Sequence, residues 1–334
     1  AALRSDQVQA LTTAQIVKLS DAQVASLSTA QVAVIETQDI AVLTTAQMVA
    51  LTTIQSPTLT TEQIASLTTA QIASIETRDL ASLTTAQVSA MTTAQVAALT
   101  TAQIEALTTA QVAKLGTDQS AALTTAQLVA IETRDVAVLT TAQIASLSTA
   151  QAAKLETEQI AALSTAQISG ITSTQAAALT TAQIDSITSI QVAGLTTEQL
   201  AALSTAQLSA LQTRDLALLS TAQVSALTTA QTAALTTAQV VALTTAQVAA
   251  ITTDQAAALT TAQIAVLETR DAAALGTEQI AALSTAQVVK LSEAQVSALT
   301  TAQIQALETL DLQAMTTAQI AALSTAQASV LTTE

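Results

Sequence analysis

Six short segments hold 15 of the chain's 33 charged side chains. They are Glu36-Thr-Gln-Asp39, Glu76-Thr-Arg-Asp79, Glu132-Thr-Arg-Asp135, Gln212-Thr-Arg-Asp215, Glu268-Thr-Arg-Asp271 and Glu308-Thr-Leu-Asp311. A pair such as Glu132 and Asp135 has the groups for general acid–base work. That work needs a pocket and a tuned pKa. Small aliphatic side chains and the complete absence of Phe, Tyr, Trp, His and Cys leave little from which to build either. Ser and Thr are abundant, but a hydroxyl nucleophile needs a base, and no imidazole is present. Disulfides and thiolate metal sites are excluded. No Asp-x-Asp-x-Asp-Gly loop offers a calcium site. The expectation is a non-enzyme with no catalytic residue, cofactor, metal site or small-molecule substrate.

The elements that position these segments come from one repeat. From Leu3 to Leu331 every eighth residue is Leu, Ile or Met, which gives 41 octads from Leu3 to Val330 with no insertion or deletion. The consensus is L-T-T-A-Q-[IV]-A-[AS], as in Leu67 to Ser74. Its fifth position is Gln in 35 octads and Asp in the other six. Such a phase marks stacked repeats, because an extra residue would dislocate every later coil. The whole chain, 1–334, therefore reads as one continuous domain. It stops in mid-octad at Glu334, as a segment of something longer would.

Only 10% of the residues are charged, and 24 acids against 9 bases give a net charge of −15. That balance repels nucleic acid and anionic membranes. Polar residues at positions two, three and five limit apolar runs to about four residues, against roughly 18 for a membrane span. A continuous helix fails, since at about 100° per residue an octad overshoots two turns and the apolar stripe spirals. A β-solenoid lacks its alternation and its corner residues. A helix broken once per octad fits. A Thr hydroxyl caps it, Gln three residues after position two reaches back, and Leu before the cap staples to Ile five residues on. Position two suits the capping box, while position three is the more uniform hydroxyl, so the N-cap has two candidates. Helices of about five or six residues should end at a corner of one extended residue, since four Gly and one Pro (Pro57) supply almost no special turns. The fold class is all-α, a repeat solenoid of short capped helices with a Leu/Ile/Val spine and a Thr/Gln exterior.

The exceptions carry a spacing of their own. With the Leu3 octad as octad 0, the Asp octads are 4, 9, 16, 26, 33 and 38. If each octad turns about 148°, their intervals all approach whole turns. The same step aligns Lys18, Lys114, Lys154 and Lys290, in octads 1, 13, 18 and 35. This predicts about 2.4 octads per superhelical turn, or the opposite-handed alias. It also predicts two longitudinal charged stripes. One joins Glu36, Asp39, Glu76, Arg78, Asp79, Glu132, Arg134, Asp135, Arg214, Asp215, Glu268, Arg270, Asp271, Glu308 and Asp311. The other joins the four Lys, each followed by an acid: Asp21, Asp118, Glu158 or Glu293. Stacked Arg would bridge carboxylates of adjacent coils or of a neighbouring copy. A solvated face adding only solubility is the alternative.

The L-[TS]-T-A-Q-[IV]-A-[AS] octads resemble the tandem repeats of very large bacterial surface or secreted proteins of the adhesin type. The resemblance implies a fibrous protein at the cell surface or outside the cell, and it brings no catalytic residues. The function expected is a filament, stalk or sheath that assembles with copies of itself, without nucleic acid or membrane insertion. The alternative is a binding module, either an adhesin spacer or a Thr array that binds ice.

Overall fold

A computed structural model of the chain describes residues 3–331, and it is an all-α repeat solenoid. Each octad supplies one helix of four to six residues, forty in all, except that Ser56–Thr58 forms a 3-10 turn; no strand occurs among the described residues. Ala1–Gly170 form one compact unit and Ile171–Glu334 a second.

The octad of Leu99 to Ala106 shows how the sequence makes the corner. Leu99 (φ −59°, ψ 141°) and Thr100 (φ −73°, ψ 159°) are extended, and Thr101–Ala106 are helical. The corner thus takes two extended residues instead of the one expected. Both keep negative φ, as does every described residue, so no left-handed Gly is required. Position two is the N-cap. Thr100 Oγ1 accepts from the Gln103 N–H at 3.2 Å, and Gln103 Oε1 accepts from the Thr100 N–H at 2.8 Å. This capping box satisfies two amides that a helix start would otherwise leave open. Position three, the other candidate, is the first helical residue. Leu99 and Ile104, the two ends of the staple, are both buried.

From Gln31 on, the position-five Gln does not lie on the exterior as the sequence suggests; it is among the most buried residues of the chain, with Gln103 2% exposed, while Gln7, Gln15 and Gln23 are exposed. While its oxygen closes the cap, its amide donates to the previous coil. Gln103 Nε2 reaches the carbonyls of Ile72 at 2.9 Å and Ile75 at 2.7 Å, which lie 31 and 28 residues earlier. Gln71 repeats this with Ile40 and Leu43, both at 2.8 Å, and Gln263 in the second unit with Thr232 at 2.9 Å and Leu235 at 2.7 Å. Even where Pro57 replaces the α-helix by a 3-10 turn, Gln55 still reaches Val24 at 3.0 Å and Leu27 at 2.7 Å. The Leu carbonyl faces away from its own helix, so burial would be costly without this donor.

Stacking fixes the turn. In the first unit Thr69–Ser74 packs on Thr93–Ala98, that helix on Thr117–Ala122, and that on Thr141–Ser146. In the second, Ser173–Ala178, Thr197–Ala202, Thr221–Ser225 and Thr245–Ala249 form a similar column. Octad n therefore meets octad n + 3, and a turn holds close to three octads. The expected 2.4 octads per turn is not found. A step of about 148° would leave octads n and n + 3 about 84° out of line (3 × 148° − 360°), whereas two extended residues per corner bring them into contact.

Replacing Gln103 by Met keeps most of the volume and removes every one of these bonds. Loss of about 2–4 kcal/mol is expected, from one open amide and two carbonyls without their side-chain donor. Urea denaturation, with hydrogen exchange at Thr100 as a local readout, checks this. Unchanged midpoint and protection would show that the amide does not tie the coils.

Candidate functional site

The Asp octads change both halves of the capping box at once. Asp is one methylene shorter than Gln and, when ionised, offers no donor. Ionised, it therefore cannot donate to the carbonyls of the coil before as Gln does. The N-cap becomes Glu36, Glu76, Glu132, Gln212, Glu268 or Glu308, and none of these makes a side-chain cap hydrogen bond. A carboxylate at that end of a helix is still favoured by the helix dipole. All six Asp are buried, from 0% exposed at Asp215 to 3% at Asp39.

Three of these carboxylates are held by a hydroxyl of the coil before. Asp135 Oδ1 accepts from Thr109 at 2.6 Å, Asp215 Oδ1 from Ser189 at 2.5 Å, and Asp271 Oδ1 from Thr245 at 2.6 Å. Each donor is 26 residues earlier, at position three of the octad three back. No such bond forms at Asp39, Asp79 or Asp311, and each of these keeps one buried oxygen without a hydrogen-bond partner (Oδ1, Oδ1 and Oδ2), as Asp215 does at Oδ2. At Asp39 burial, and then the nearby Glu36, push the carboxyl above its ordinary range. At Asp79 burial raises it, Glu76 adds to the effect and Arg78 opposes it.

The Arg side chains stay about two-thirds exposed and pair within their own octad. Arg78, Arg134 and Arg270 place Nε 2.7, 2.8 and 2.8 Å from Glu76, Glu132 and Glu268. The same nitrogens lie 3.9, 3.7 and 3.6 Å from Asp79, Asp135 and Asp271. Arg214, with Gln212 in place of Glu, has Asp215 at 3.5 Å. The expected bridges between adjacent coils are not formed. Gln38 takes the Arg position in the first Asp octad and donates to Glu36 at 2.7 Å; Leu310 takes it in the last and is exposed.

With about three octads per turn, the Asp octads do not line up along one side. The intervals in the first unit, five and seven octads, are 5/3 and 7/3 turns. The charge pattern has another regularity that matters here. None of the intervals 5, 7, 10, 7 and 5 equals three, so no buried Asp stacks directly on another. Repulsion between two carboxylates in a poorly solvated core is thereby avoided.

Lys18, Lys114, Lys154 and Lys290 are exposed, and among the described residues none forms an ion pair with the acids that follow it. Their octads share a local feature. The helices Thr13–Ile16, Thr109–Val112, Thr149–Ala152 and Thr285–Val288 all end after four residues. The Lys N–H then bonds the Gln carbonyl three residues back, at 3.0, 3.1, 3.0 and 2.9 Å. Position eight is half-buried when it is Ala or Ser, as at Ala106. Ending the helix early turns the Lys out to water beside the negative end of the helix dipole.

Acids at position four sit at helix starts instead. At Glu62, Glu158 and Glu198 the residue's own backbone amide, and then neighbouring Thr hydroxyls, lower the carboxyl pKa. Among the described residues no three carboxylates converge in a way that could hold a metal ion, and no helix is long and apolar enough to cross a membrane.

The sequence pointed to Glu, Arg, Asp and Lys, and missed Gln and the Thr or Ser partners. Uniformity was the signal available: position five is Gln or Asp in every octad, whereas the exposed position four also holds Arg, Ile, Leu, Glu and Asp. Replacing Thr109 by Val removes the donor to Asp135 and should cost about 1–3 kcal/mol. Lys290→Ala should change stability by no more than about 0.5 kcal/mol. Denaturation of the two variants beside the wild type separates them, and equal small effects would show that the hydroxyl does not support the carboxylate.

Family comparison bears on the same residues. The profile of the ALTTAQ repeat matches residues 1–34, 32–69, 72–109, 128–165, 152–189, 208–245, 240–269, 264–301, 272–309 and 304–334. Among curated proteins none matches the chain. The matched stretches cover well over half of the sequence, and they contain most of the Thr and Gln that cap the helices and of the Gln amides that tie them to the coil before; the chain belongs to the ALTTAQ repeat family.

Proposed function

We propose that this protein is structural, the body of an extracellular filament, stalk or sheath of bacterial adhesin type that assembles with copies of itself. The observation that carries this reading is the amide ladder. Gln ties each coil to the one before with the same two carbonyl bonds in both units, as at Gln103 and Gln263. A chain built this way distributes load over many equivalent bonds and lengthens by repetition. Its surface is Thr, Ala and scattered charge. An absence of Cys and only 3 Met suit a protein exposed to oxidants. The repeats form a single continuous solenoid in this reading. The exposed Arg side chains supply the contacts between copies, because chains of net charge −15 repel one another unless cations meet carboxylates across the contact. Such pairs are weak singly and sum along aligned copies.

Electron microscopy of the purified chain over a range of concentrations tests the proposal. Fibres of uniform width are expected for the wild type. The variant with Arg78, Arg134, Arg214 and Arg270 all changed to Gln should bundle less, with helix content unchanged by circular dichroism. Isolated particles at every concentration would refute self-assembly. Identical bundles in both proteins would refute the Arg contacts alone.

A further inference from the structure

Asp39 and Asp79 differ from the other residues that tie coil to coil. Gln at this position donates to two main-chain carbonyls of the coil before. The corresponding carbonyls are those of Val8 and Leu11 for Asp39 and of Met48 and Leu51 for Asp79, and an ionised carboxylate brings them no proton. Asp135, Asp215 and Asp271 recover a link through a hydroxyl. Asp39 and Asp79 do not, nor does Asp311; Asp39 and Asp79 are each 3% or less exposed with Oδ1 unpartnered, and Asp311 is 2% exposed with Oδ2 unpartnered.

The surroundings give little positive charge in compensation. The Asp39 helix, Thr37–Ile40, packs against Thr13–Ile16 and Thr61–Ser66. The charged groups there are Lys18, exposed at the far end of its octad, and Glu62; Glu36 lies on the same turn as Asp39. The Asp79 helix, Thr77–Ser82, packs against Ser56–Thr58, which carries no charge, and Thr101–Ala106, which carries Glu105. Arg78 and Glu76 flank it, with Arg78 held mainly by Glu76.

We propose that Asp39 and Asp79 are proton-operated clasps: while both are charged the coils they join are loosely held, and a proton taken up by each in mild acid tightens them. The proton removes a buried charge and converts an acceptor-only group into one that also donates, among carbonyls that lack a side-chain donor. Burial raises both carboxyls, which fixes the sign. A group raised in the folded state gives its full stabilisation below the unfolded value, about 3.9 for Asp, and loses it as pH rises through the folded value. The clasp therefore works above the ordinary carboxylate range. The lowered carboxyls of Glu62, Glu158 and Glu198 act in the opposite sense, losing their contribution as pH falls below that range.

Thermal unfolding of the full chain between pH 4 and pH 8 tests this, with wild type beside D39N/D79N and a control, E278Q/E293Q, that removes two exposed charges. The wild-type midpoint should rise on acidification by about 2–4 °C or more. D39N/D79N should start higher at pH 8 and lose most of that rise, whereas the control should keep the wild-type slope. A flat or falling wild-type midpoint, or the same slope in D39N/D79N, overturns the proposal. Hydrogen exchange of the wild type, corrected for intrinsic rate, gives a readout that needs no variant. Segments 37–40 and 77–82 should gain protection severalfold relative to 133–136, where Thr109 already holds Asp135. An unchanged ratio overturns the proposal as well.

Discussion

A buried carboxamide has to satisfy both its ends, and in this protein that requirement ties local structure to tertiary structure. The Gln oxygen closes the start of its own helix while its amide holds two carbonyls of the coil before, as at Gln103. A helix of six residues is far too short to persist alone in water. Its start is secured by the Thr hydroxyl and the Gln oxygen, and its position by the Gln amide. Leu and Ile supply the apolar spine, but apolar contact is non-directional and would tolerate sliding. The amide fixes the register, because its two acceptors lie at one place in the coil before. The Pro57 octad makes the point: its α-helix is lost, yet Gln55 keeps both carbonyls.

The Asp octads show what happens when that requirement is relaxed. The shorter side chain gives up the carbonyls, and a Thr or Ser hydroxyl from the octad three back replaces part of the link at Asp135, Asp215 and Asp271. The remaining Asp, and Asp215 at its second oxygen, keep buried oxygens without hydrogen-bond partners. Groups of this kind cost stability and mark places where a chain carries something other than maximal packing. Their spacing keeps them from stacking on one another, so each is enclosed by Gln octads. The Arg beside three of them serves chiefly the neighbouring Glu, at the solvent edge, while Arg214, beside Gln212, has only Asp215.

The position-four acids and the Lys follow helix geometry, whereas Glu105 and Asp185 lie in the last turn of their helices and Arg78, Arg134, Arg214 and Arg270 at the second residue of theirs. Acids at position four lie in the first turn, where open amides and the dipole favour them, and Lys lies past the last turn, where the dipole favours a cation. The resulting surface holds separated charges on a Thr and Ala background.

The sequence by itself determined the octad phase, the all-α class, the capping box and the Leu–Ile staple, because all of these are interactions within one octad and the residues concerned are at most five apart. Gln103, Leu99 and Ile104 can be placed from spacing alone, whereas the choice of Thr100 over Thr101 as N-cap came with the structure. The three-octad turn, the burial of Gln and the hydroxyl partners of Asp135, Asp215 and Asp271 came only with the tertiary structure. Each of these links residues 26 to 31 apart, and which residues meet over that distance depends on how sharply every corner turns. That angle is set by the joint φ and ψ of Leu and Thr, and small differences accumulate over three corners. The spacing of charged octads could not supply it, because those residues are placed to keep buried carboxylates apart, and that requirement excludes an interval of three without naming the turn.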